Sequence, residues 1–172
     1  EKGEVLPALA QSWKFTEKPL PVYEFTLNPA ARWSDGRQVW AQDFVDAWTR
    51  VLDPKFASPY AHCLFDISNA QKFHAMAGGN PSILGMKADG CSRLTVSVEK
   101  SISYFPQLAA HWVFFPIRKE LIEKLPFVWT RPEHLVVTGP YRLKEWKIDT
   151  YYQLTPNPEY FGEKPKNTLR AI

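Results

Sequence analysis

The stretch from Ala31 to Pro54 constrains this chain more than any other. It sets Trp33-Ser34-Asp35-Gly36 between the end of a strand and an amphipathic helix, with almost no spare residues. Ser34-Asp35-Gly36 reads as a tight turn, because glycine reaches positive φ freely and an aspartate side chain braces its own loop. The helix is predicted over 41–52. Phe44, Val45, Trp48, Val51 and Leu52 fall on a single stripe at helical spacing. Asp43 in the first turn and Arg50 in the last complement the helix dipole. Asp53-Pro54 ends the helix.

Elsewhere strands and helices are mixed without regular alternation. Pro7 limits residues 5–13 to a short lead-in. Val22–Asn28 alternates, with Tyr23, Phe25 and Leu27 on one face, as a half-buried strand does. Leu94, Val96 and Val98 repeat the pattern. Helices are predicted over 66–76, ended by Gly78-Gly79, and as a stripe of Ile117, Leu121, Ile122 and Leu125 before Pro126. A short helix over 104–110 accommodates Pro106 only in its first turn. Residues 139–146 and 151–155 read as paired strands with a turn near Asp149, and Leu169–Ile172 starts a further element. The predicted fold class is α+β, a mixed and largely antiparallel sheet with packed helices.

At 172 residues the chain is long enough for one domain or two small lobes. The net charge of +3 comes from interspersed signs, without the clustered basic face that nucleic acid requires, so no nucleic-acid partner is expected. The apolar stretch from Leu108 to Ile117 is too short, and too broken by His111 and Pro116, to span a bilayer. Aromatics are abundant, at 15% of residues. They suit both a core and a binding surface.

No catalytic set emerges. His62, His74, His111 and His134 lack zinc-ligand spacing, so no metal or cofactor is expected. His62 and Cys63 are neighbours whose side chains are expected to point apart, with no third group to orient them. Asp43 and Asp46 share a helix face, as solvated acids commonly do. Nucleophile-elbow, dinucleotide and phosphate-loop motifs are missing. A binding module rather than an enzyme is the expectation. Cys63 and Cys91 are candidates for a disulfide if the chain is exported.

Several landmarks occur in order: Pro7 to Trp13, Tyr23 to Leu27, Trp33-Ser34-Asp35-Gly36, Asp43-Phe44-Val45, Asp53-Pro54, Ser58-Pro59-Tyr60, Leu84 to Ala88, Leu94 to Val98, Tyr104-Phe105, Trp129 to Pro132, Thr138-Gly139-Pro140-Tyr141 and Asn157 to Phe161. Together they resemble the oligopeptide- and dipeptide-binding proteins of bacterial ABC importers. Trp40 stands where the family usually has threonine before the helix. That exchange removes a hydroxyl cap worth about 1 kcal/mol and exposes an aromatic ring. Gly90-Cys91 replaces the usual polar turn.

The resemblance implies a type II periplasmic binding protein-like fold. Members are much longer, with two lobes and a smaller extra domain attached to the first. Residues of about 1–135 would form that extra domain, about 136–172 would return into the first lobe, and the second lobe would be absent. It further implies a peptide held between lobes, delivery to ABC permease membrane subunits, and a periplasmic or extracellular location. Tyr60 matches a tyrosine that borders the family's peptide cleft. Trp33, Phe44 and Trp48 are expected to build the core joining strand to helix, with Asp35 and Gly36 holding the turn. The chain alone should bind peptide weakly or not at all. The rival reading is an interaction or scaffold domain that keeps the fold and has lost transport.

Overall fold

A computed structural model describes residues 4–76 and 79–171. They fall into two compact units: residues 1–28 with 40–117, and residues 29–39 with 118–172. The second unit takes in the Trp33-Ser34-Asp35-Gly36 turn together with the residues from Arg118 onward.

The first unit holds a four-stranded antiparallel sheet. β1 is Ala10–Thr16, β2 Val22–Leu27, β3 Met86–Asp89 and β4 Arg93–Ser97, in spatial order β1-β2-β4-β3. The lead-in therefore becomes a strand running past Trp13. β2 alternates between buried and half-buried positions. It pairs Phe25 with Leu94 and Tyr23 with Val96, so the apolar sets of both strands share one face. Gly85 lies where the chain passes Ser68 and Ser97; its N–H donates to the Ser68 carbonyl at 2.8 Å and its carbonyl accepts from Ser97 N–H.

Helix α1 spans Ala41–Leu52 and packs on this sheet through β3 and β4. Trp48 is fully buried. Its ring meets Phe44 edge-on at 6.2 Å and Phe114 edge-on at 5.3 Å. Its indole N–H donates to the Phe114 carbonyl at 2.8 Å, so the core buries the ring without stranding its polar atom. At the helix start, Trp40 N–H donates to Asp43 Oδ2 at 2.9 Å. Trp40 has no side-chain oxygen to complete a capping box. Instead Ala41 N–H, one of the helix's open donors, reaches the Cys91 carbonyl at 2.8 Å. Trp40 is exposed.

The second predicted helix is shorter than expected, α2 at Ala70–Ala75, because Ile67 bridges to Val98 before it. Gly78 lies outside the described residues. α3, Phe105–Ala109, carries Pro106 in its first turn.

The second unit contains α4, Lys119–Lys124, of whose expected stripe only Ile122 is buried. Its antiparallel sheet consists of β5 Tyr141–Lys147, β6 Tyr151–Pro156 and β7 Leu169–Ala171, in that order. The β5–β6 register pairs Leu143 with Leu154 and Trp146 with Tyr152, with an irregularity between Leu143 and Glu145. That extra residue restores the face: Tyr141, Leu143 and Trp146 align with Tyr152, Leu154 and Pro156, while Arg142, Glu145 and Lys147 face the other way. Asp149 takes positive φ in the connecting turn.

Candidate functional site

The loop that follows α1 carries Tyr60. Asp53 accepts from Lys55 N–H at 2.9 Å, and the Arg50 guanidinium lies 4.1 Å from the centre of the Phe56 ring. Ala57 adopts φ 51°. A residue with a Cβ pays for that left-handed conformation, so the surrounding contacts hold the loop in shape. Ser58 Oγ accepts from Tyr60 N–H at 3.3 Å. The chain then enters a 3-10 turn, Ala61–Leu64, whose Ala61 and Leu64 are buried.

Tyr60 is not a core side chain; 41% of it is exposed. Its ring stands edge-to-face with Trp112 at 4.7 Å. Trp112 opens a second 3-10 turn, Trp112–Phe114, and is 54% exposed. Both turns pack against α1. The ring of His111 lies 5.3 Å from Trp112, and its Nδ1 accepts from Val113 N–H at 3.4 Å. Among the described residues, neither the Tyr60 hydroxyl nor the Trp112 indole N–H has a hydrogen-bond partner. The result is an aromatic corner with two open donors, mounted on a packed helix.

His62 and Cys63 do not point apart. In the tight 3-10 turn, Cys63 Sγ lies 3.6 Å from His62 Nε2, and His62 Nδ1 lies 3.1 Å from the Pro59 carbonyl. A carbonyl only accepts, so Nδ1 donates to Pro59 and Nε2 is the nitrogen that faces the thiol. Cys63 and Cys91, the candidate disulfide pair, are both free thiols. Cys63 is held in the 3-10 turn and Cys91 in the turn after β3, where it is exposed. No cluster of histidine, cysteine or acidic residues among the described residues could hold a metal ion.

Trp33, Asp35 and Gly36 belong to the second unit, whereas Phe44 and Trp48 belong to the first. Gly36 takes φ 89° and its N–H donates to the Trp33 carbonyl at 2.9 Å. Asp35 Oδ1 accepts from Arg37 N–H at 3.2 Å, and its Oδ2 pairs with Arg118 Nη1 at 2.8 Å. Arg118 also grips Glu120 and lies 5.8 Å from the centre of the Trp33 ring. Burial alone would raise the Glu120 carboxyl, but the Arg118 guanidinium prevails and holds it below the usual carboxylate range. Burial likewise opposes charge on Arg118, and its two carboxylates outweigh that, raising its pKa. Sequence reading missed Arg118 and Trp112. Their partners lie far along the chain, and no local pattern announces them.

No described helix is long and apolar enough to cross a membrane. The family described as bacterial extracellular solute-binding proteins, family 5 middle, matches residues 4–168. Among curated relatives, the periplasmic murein peptide-binding protein MppA of Escherichia coli is 36% identical over 176 residues, covering 100% of this chain and 32% of its own length. The periplasmic oligopeptide-binding protein OppA of Salmonella typhimurium is also 36% identical, covering 99% of this chain and 31% of its own length. The solved structure of unliganded, open MppA superposes with a TM-score of 0.86 at 36% identity, over 93% of this chain and 31% of that one. Haemophilus influenzae OppA in complex with RPPGFSPFR gives 0.83 at 32% identity, over 90% of this chain and 30% of that one. The chain thus spans about a third of the length of the relatives it matches. That family is one of solute-binding proteins rather than enzymes, and this chain, matched almost from end to end, belongs to it.

Proposed function

We propose that the chain is part of the substrate-binding component of an ABC importer for oligopeptide uptake. The observation that carries this reading is its similarity, over nearly its whole length, to proteins named for peptide binding, one of them solved with a peptide bound. In this reading the first compact unit is the small extra domain and the second is part of the first lobe. The opposing lobe lies in sequence beyond these residues. A peptide is held as an added extended strand and read loosely through its main chain. Closure follows from the ligand's preference for the closed state, and the closed form is delivered to permease subunits outside the cytoplasm.

Tyr60 is the ligand-contacting residue proposed within this chain. Its exposure and its open hydroxyl support that role. The chain alone supplies only part of the contacts, yet binding must still offset several kcal/mol of lost freedom. Isothermal calorimetry with tri- to pentapeptides tests both points. The longer parent protein should bind with micromolar or tighter affinity, and the isolated chain with little or no heat. A parent protein that ignores every peptide overturns the reading. Micromolar binding by the chain alone overturns the division of contacts between lobes.

A further inference from the structure

We infer that Trp112 and Tyr60 together form a subsite for an aromatic or large apolar side chain of the bound peptide, with Trp112 setting the preference for it. The inference rests on the peptide reading above and adds a residue and a ligand class to it. Large aromatic rings are normally buried, and half-exposed ones on a rigid support mark contact surfaces. Here the support is explicit. Phe114, two residues beyond Trp112, is buried and accepts the Trp48 indole N–H. Leu64, four residues beyond Tyr60, is fully buried. Both 3-10 turns are thus pinned to α1, and the two rings meet at 4.7 Å with little freedom to lose on binding.

The chemistry of the pair selects its occupant. The edge-to-face packing leaves ring surface open on both partners, which suits an apolar or aromatic side chain. The phenol and the indole each offer a donor and, among the described residues, neither has an acceptor. Main-chain carbonyls on either side of a peptide side chain supply such acceptors. The imidazole of His111, 5.3 Å from Trp112, has its Nδ1 engaged by Val113 N–H, so a side chain entering the corner meets chiefly ring surface.

The test uses the longer parent protein and two peptides, Ala-Phe-Ala and Ala-Ala-Ala, with Trp112→Leu and Tyr60→Phe variants. Both positions are exposed, and circular dichroism melts verify that the variants fold. Wild type should bind Ala-Phe-Ala about tenfold more tightly, the size of a good aromatic contact. Trp112→Leu should shrink that ratio to about twofold, while Ala-Ala-Ala weakens only by the few-fold that the lost indole donor accounts for. Tyr60→Phe, which keeps the ring and removes the donor, should weaken both peptides by a similar factor of several-fold. A Trp112→Leu protein that keeps the wild-type ratio, or loses both affinities in proportion, overturns the inference and leaves the peptide reading standing. A wild-type protein that binds neither peptide overturns that reading and this inference with it.

Discussion

The two sheets of this chain obey the same alternation and finish it differently. In the first unit, the inward residues of β2 and β4 are all buried: Tyr23, Phe25 and Leu27 beside Leu94 and Val96. Helix α1 and the buried ring of Phe105 complete that core, with Phe105 5.3 Å from Tyr23. In the second unit the corresponding apolar face leaves Trp146 48%, Tyr152 45% and Leu169 45% exposed. Periodicity therefore decides which face of a strand is apolar, but not whether anything covers it. The first unit closes its core with its own residues. The second presents a face of the same character that this chain does not close.

The largest expected effect lies in the closed core. Trp48→Ala removes a fully buried ring, its edge contacts with Phe44 and Phe114, and an internal hydrogen bond. It should cost about 3–5 kcal/mol, read as a drop in the denaturation midpoint of the first unit. A loss under about 1 kcal/mol would mean that the core collapses around the gap and is far softer than its packing suggests.

Two glycines sharpen the contrast. A Cβ on Gly85 would lie 2.7 Å from Ser68 Cβ and 2.9 Å from the Ser97 carbonyl oxygen. Those atoms belong to paired chain segments and cannot swing away. Gly85→Ala should destabilise the first unit by about 1–3 kcal/mol. A Cβ on Gly162 in the second unit would come equally close, 2.8 Å, but only to the Tyr160 ring. That ring is the far end of a flexible side chain, so Gly162→Ala should cost less than about 1 kcal/mol. Equal costs in thermal melts would erase the distinction between a jammed core and an adjustable surface.

How far the sequence revealed this follows the same line. α1 was legible to the residue because Phe44, Trp48 and Leu52 repeat at helical spacing and Asp53-Pro54 stops them. β2 and β4 were legible because their alternation is strict. β3 was not: four residues with no clear period become a strand only by pairing with β4. The aromatic corner was half legible. Tyr60 stood out through the motif around it, whereas Trp112 sits in an apolar run whose pattern says nothing of exposure, and only folding brings the rings together. Cys63 and His62 misled for a related reason. A 3-10 turn, shorter than the helix or strand assumed, set the sulfur and the imidazole face to face.

Arg118 offers a smaller effect within the second unit. It ties Asp35 of the tight turn to Glu120 of α4. Arg118→Met keeps the apolar stem and removes the charge, and should cost about 1 kcal/mol, since both carboxylates are partly exposed and return to water. The sign of the pH dependence follows from Glu120, whose pKa is held down in the folded state. Its stabilisation is present above the unfolded carboxyl pKa and fades as pH falls through the folded value. Wild type should therefore lose stability between pH 5 and 3, roughly the range of carboxylate titration, more steeply than Arg118→Met. Parallel curves would show that the guanidinium does not govern Glu120.

The smallest effect is expected at Trp146, and it bears most directly on the open sheet. Trp146 pairs across the strands with Tyr152, so Trp146→Thr removes a cross-strand contact worth about 0.2–1 kcal/mol while keeping strand propensity. In the chain alone the loss should stay within that range, because half the ring already lies in water. The same substitution in the longer parent protein separates two meanings of an exposed apolar face. A loss of several kcal/mol there would make Trp146 a core residue whose cover lies outside these residues. An equally small loss in both would make the face a true surface. The physical difference between the two sheets would then lie in their design, not in how much of the protein is in view.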